Sequence, residues 1–111
     1  MAMSVTLQLT KPITAHGKEI FEITLREPNT EDVREFGSPF LVVPYDTDNM
    51  AIEIRASIVA KFIMRLAGIP LSSVDKLCIK DFFNCQKVVL GFFGEVDGLM
   101  ERKDSQNEFS T

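Results

Sequence analysis

From Val5 to Leu25 the apolar residues hold a single parity. Val5, Leu7, Leu9 and Ile13, then Phe21, Ile23 and Leu25, alternate with Thr6, Gln8, Glu22 and Thr24. A period of two sustained over that length does not suit a helix and specifies a half-buried β-hairpin. The segment Thr14-Ala15-His16-Gly17-Lys18 separates the two strands, and Gly17 supplies the positive φ that a tight turn needs. Pro12 suits an edge or a strand end.

Past Arg26-Glu27-Pro28, the residues Asn29-Thr30-Glu31-Asp32 combine side-chain caps with first-turn carboxylates, which predicts a short helix running to about Phe36 and stopping at Gly37. The stretch Met50 to Leu66 admits two readings. As one helix, at ~100° per residue, it sets Arg55 between Phe62 and Leu66 on the apolar face. As a strand followed by a helix, it puts Met50, Ile52 and Ile54 on one side and Glu53 and Arg55 on the other, and the conflict disappears. A second hairpin is therefore expected, Phe40 to Val43 against Met50 to Ile54, closed by Tyr45-Asp46-Thr47-Asp48-Asn49. A helix from Ala56 to Ala67 follows, ended by Gly68 and Pro70. Ser72-Ser73-Val74-Asp75 caps a brief turn, and a last helix runs from about Lys80 to Phe93. The fold class is α+β: two β-hairpins, a small antiparallel sheet, followed by two main helices. One domain spans residues 1–94. Residues 95–111 carry a net −3 against −1 for the rest and are expected to be a disordered, flexible acidic C-terminal tail.

Composition narrows the function. A chain of 111 residues, 45% hydrophobic and 25% charged, suits one thinly cored globular domain, for which a partner's contribution to stability matters. Its net charge of −4 is the wrong sign for holding nucleic-acid phosphates or an anionic membrane. No apolar run approaches the ~20 residues that cross a bilayer, and Met1-Ala2-Met3-Ser4-Val5 lacks the features of a signal peptide, so a cytosolic protein with free thiols is expected.

A catalytic constellation is missing from the sequence. His16 is the single histidine and falls in a turn, so it reads as a turn residue rather than as part of a metal-ligand set or a base. Cys78 and Cys85 have no basic cluster nearby to activate them and read as buried small apolar residues. Glu31, Asp32 and Glu35 read as a solvated, dipole-matched first turn, and Arg102-Lys103 as solvated charge. No phosphate loop, nucleophile elbow or paired-carboxylate motif occurs.

Apolar excess is the feature that stands out. On the Ala56 to Ala67 helix Ser57, Lys61 and Arg65 share an arc of roughly 80°, and nearly everything else around the cylinder is apolar. On the last helix Phe82, Phe83, Cys85, Val88, Val89, Leu90, Phe92 and Phe93 cover roughly 200°, interrupted by Asp81 and Gln86. A surface helix hides a stripe of about 100°, so both helices must meet neighbours on two sides. Packing within the protomer and a partner surface are both open as explanations. Phe83, Leu90, Phe92 and Phe93 are the candidate partner contacts, with Phe62 and Ile63 as helix neighbours for which core packing is the stronger reading.

Arg26-Glu27-Pro28-Asn29-Thr30-Glu31-Asp32-Val33, Gly37-Ser38-Pro39-Phe40, Leu66-Ala67-Gly68-Ile69-Pro70 with Val74-Asp75, and Asp81-Phe82 followed by Val89-Leu90-Gly91-Phe92-Phe93 occur in that order. Over roughly residues 5 to 94 this set resembles the tail assembly chaperones of Mu-like and related long-tailed bacteriophages. The resemblance implies a non-enzymatic protein without a cofactor, made in the cytoplasm of the bacterial host. It implies binding to the phage tape-measure protein, help to tail-tube protein subunits polymerising around it, and absence from the mature virion. It also implies a longer frameshifted form in many members. The rival readings are a structural tail subunit or self-assembling adaptor, a possible homo-oligomer, and, least favoured, a small enzyme.

Overall fold

A computed structural model describes residues 4–94. Strands β1 (Ser4–Ala15) and β2 (Lys18–Arg26) form the first hairpin, followed by helix α1 (Thr30–Phe36). Strands β3 (Phe40–Pro44) and β4 (Met50–Ile54) form the second, followed by α2 (Ala56–Ala67), the single turn α3 (Leu71–Val74) and α4 (Ile79–Phe93). The α+β class holds, with the hairpins as two separate two-stranded antiparallel sheets. The expected disorder of the tail from Glu95 lies outside the described residues.

Local chemistry accounts for the boundaries. His16 and Gly17 both carry positive φ, 55° and 76°, as a two-residue type I′ turn requires, and β1 and β2 close directly onto them. Asn29 accepts the Asp32 N–H while the Asp32 side chain accepts the Asn29 N–H, a reciprocal capping box. Gly68 ends α2 in the left-handed region, and the N–H groups of Gly68 and Ile69 both reach the Met64 carbonyl.

The first hairpin is not the uninterrupted ladder that its parity suggests. Gln8 pairs with Glu22 but Ile13 pairs with Ile20, so β1 carries extra residues between them. That bulge changes which way the neighbouring side chains point. Ile23 and Leu25 face the core as expected, whereas Phe21, next to the bulge, is 58% exposed. The core gathers Ile13, Ile23 and Leu25 of this hairpin, Val59, Phe62, Ile63 and Leu66 of α2, Val74 of α3, and Cys85 and Val89 of α4. The second hairpin contributes no residue to that cluster.

Candidate functional site

Each of the two main helices is fastened to a neighbouring element by polar contacts that the hydrophobic pattern does not reveal. Asp81, on the first turn of α4, is buried and accepts the backbone N–H of Thr10 at 2.9 and 3.0 Å, the Thr10 hydroxyl at 3.1 Å and the Lys11 N–H at 3.2 Å. The donors left without ladder partners by the β1 bulge are thereby satisfied, and α4 is fastened to β1. Burial pushes the Asp81 carboxyl up, but hydrogen bonds from Thr10, Lys11 and Cys78 outweigh it and hold the group below its ordinary value.

Asp32 does the same for α1 and α2. It accepts Arg26 at 2.9 Å and Arg65 at 3.1 Å, and Arg65 also reaches Glu35 at 2.9 Å and lies 4.7 Å from the centre of the Phe36 ring. The reading of Glu31, Asp32 and Glu35 as a solvated first turn is therefore corrected for Asp32, while Glu35 stays exposed. Asp32 is buried in an ion-paired network, and Glu35 binds Arg65, because α2 packs directly beside α1. Burial works against ionisation of Asp32, yet Arg26, the Asn29 N–H and Arg65 prevail and lower its pKa.

Above these clamps runs a line of aromatic rings. Phe36 meets Phe62 at 5.4 Å, Phe62 meets Phe93 at 5.6 Å, and Phe93 meets Phe40 at 6.2 Å, all edge to face. Phe93 thus links the end of α4 to the base of the second hairpin.

The candidate contact residues divide into three groups. Phe62 and Ile63 are 0% exposed, in the core packing that was the stronger reading for them rather than at a partner surface: α2 is enclosed by β2, α1, α3 and α4. Leu90, at 8%, is also buried, although outside the contiguous core cluster. Phe92 and Phe93 are half-buried, packed against the core on one side and open on the other. Phe83 is 49% exposed, and Ile79, which the sequence reading passed over, is 69% exposed one helical turn before it. The signal for Ile79 was its place four residues before Phe83; it was missed because α4 begins one residue earlier than expected.

Reactive chemistry is scarce. Cys85 is fully buried, and burial, with a smaller contribution from the Asp81 charge, pushes its thiol up to about 11. Cys78 is half-buried and its Sγ lies 3.3 Å from the Thr10 hydroxyl, a partial departure from the buried position expected of it. His16 is bound through Nε2 to the Gly68 carbonyl at 3.0 Å, which ties the first turn to the end of α2. Among the described residues no group of three His, Cys, Asp or Glu side chains is placed to hold a metal ion, and no helix is long and apolar enough to cross a membrane. Among the described residues, the exposed side chains of Ile79 and Phe83 offer apolar contact.

Comparison with known proteins agrees in kind. Neither the curated proteins nor the solved structures searched contain a match to this chain. Residues 6–94 match the family described as "Phage tail assembly chaperone proteins, E, or 41 or 14". The match runs from the first hairpin through the last residue of the described fold, and the chain therefore belongs to the phage tail assembly chaperone family.

Proposed function

We propose that this chain binds the tape-measure protein of its phage, keeps it soluble in the cytoplasm of the bacterial host and promotes tail-tube assembly around it. On this reading it catalyses no reaction and leaves before the virion is complete. The observation that carries the proposal is the exposure of Ile79 and Phe83 one turn apart on α4 of a net-acidic member of this family. A long apolar client helix would lay its own i and i+4 side chains against such a pair. Phe92 and Phe93, half-buried near the end of α4, are further candidate contacts, whereas Leu90, Phe62 and Ile63 are buried.

Magnitudes favour reversible holding. Covering what remains exposed of Ile79 and Phe83 is worth about 1 kcal/mol each, too little for one copy to trap its client. Several copies bound along one client would act together and still come away one at a time as tube subunits arrive. Co-expression tests the proposal: the tape-measure protein should stay soluble and co-purify with this chain. A client equally soluble without it would contradict the reading, and recovery of the chain in purified virions would favour a structural tail subunit instead.

A further inference from the structure

The second hairpin carries a surface that client holding does not explain. Its register places Phe40, Val42 and Pro44 on one face with Met50, Ile52 and Ile54, and none of these six joins the contiguous core. Phe40 packs on Phe93 and Ile52 is half-buried, but Val42 and Ile54 stay exposed, and a two-stranded hairpin with so much apolar surface left open is marginal in water.

Its two edges differ. The Tyr45 N–H donates to the Asn49 carbonyl at 3.1 Å and the Arg55 N–H to the Pro39 carbonyl at 2.9 Å. By alternation, Leu41, Val43, Ala51 and Glu53 spend their backbone groups inside the ladder, whereas those of Phe40, Val42, Pro44, Ile52 and Ile54 point outward. The β3 edge is closed at both ends. The Ser38 hydroxyl donates to the Phe40 carbonyl at 2.7 Å and accepts the Phe40 N–H at 3.3 Å, and Pro44 has no N–H to offer. Among the described residues, Ile52 and Ile54 on the β4 edge have neither device. Strand β4 contains no proline and no lysine, the residues with which proteins usually blunt an open edge.

We propose that β4 pairs antiparallel with β4 of a second copy of this chain across a twofold axis at Ile52, joining the two hairpins into one four-stranded sheet. The register follows from charge. Centred on Ile52, it sets Ile54 opposite Met50 of the second copy and Glu53 opposite Ala51. Centred on Glu53, it would place two carboxylates directly across from each other, which is unfavourable. The ends are complementary as well. The hairpin tip carries Asp46 and Asp48, the base carries Arg55, and Arg55 makes no ion pair among the described residues. Antiparallel pairing lays the acidic tip of each copy beside the Arg55 of the other, the self-complementary arrangement of a twofold interface. The two apolar faces then merge into one of twice the width.

Sedimentation of the full chain over roughly 1 to 100 µM tests this, with dimer expected at the upper end. Ile52→Pro removes an outward N–H and leaves the hairpin ladder intact, so it should weaken the dimer at least tenfold. Val42→Pro does the same on the closed edge and should stay within about threefold of the parent. Arg55→Glu should also weaken the dimer, and adding Asp48→Arg should restore it. If either proline variant loses its far-ultraviolet dichroism, Ile52→Cys replaces it: oxidation should cross-link this variant to itself, and Val42→Cys much less. A parent chain that stays monomeric overturns the proposal and leaves the β4 edge to a strand of another protein. Equal effects of the two prolines, or equal cross-linking of the two cysteines, overturn it as well.

Discussion

Thr10 and Asp81, 71 residues apart in the chain, are joined by a backbone N–H shared between both carboxylate oxygens at 2.9 and 3.0 Å. This contact decides where α4 starts and how it leans on the first hairpin. Asp81→Ala would leave the Thr10 and Lys11 N–H groups without an acceptor in a part-buried site, at a cost of about 2 to 3 kcal/mol. Asp81→Asn keeps the shape but turns an NH₂ toward donors, so it should cost nearly as much. Urea unfolding of the two variants measures both.

Acid should loosen the fold through the same carboxylates. Asp81 and Asp32 have pKa values below the ordinary 3.8, so the folded state favours their charged form. Their contribution is fully present above the unfolded value of 3.8 and is lost as pH falls through the lowered folded values. Thermal melts between roughly pH 6 and pH 2.5 should show Tm falling chiefly below about pH 4. In Asp81→Asn that fall should be shallower.

Core and surface phenylalanines should separate cleanly. Phe62→Ala empties a fully buried position between two rings and should cost about 3 to 5 kcal/mol in denaturant unfolding. Phe83→Ala, on the open side of α4, should cost less than about 1 kcal/mol.

The two thiols should differ in reactivity. Cys85 is sealed in the core with its thiol pushed up to about 11, so iodoacetamide at pH 8 should label Cys78 first and Cys85 only as the protein unfolds. Peptide mass analysis over a urea series should show Cys85 labelling follow the unfolding transition.

Much of this fold is legible in the sequence because its signals are local. Parity marks the first hairpin, Gly68 ends α2 where expected, and the position of Arg55 separates β4 from α2. What the sequence hides depends on distant partners. Asp81 reads as a polar interruption of an apolar face until the bulge in β1 supplies its donors, and Asp32 reads as solvated until Arg65 arrives from α2. The exposure of Phe21 has the same origin, since no periodicity announces that β1 has extra residues opposite β2. For the candidate site, helical spacing identifies the apolar surplus but cannot say which side is covered. Phe62 and Ile63 fall inside because four elements surround α2, whereas Phe83 remains outside.

The most direct measurement is equilibrium binding of a purified tape-measure segment to the full chain and to the double variant Ile79→Asp with Phe83→Asp, alongside their thermal melts. The account predicts that the parent binds and that the variant binds at least tenfold more weakly with little change in Tm. A variant that keeps the parent's affinity, or a parent that does not bind at all, would contradict it.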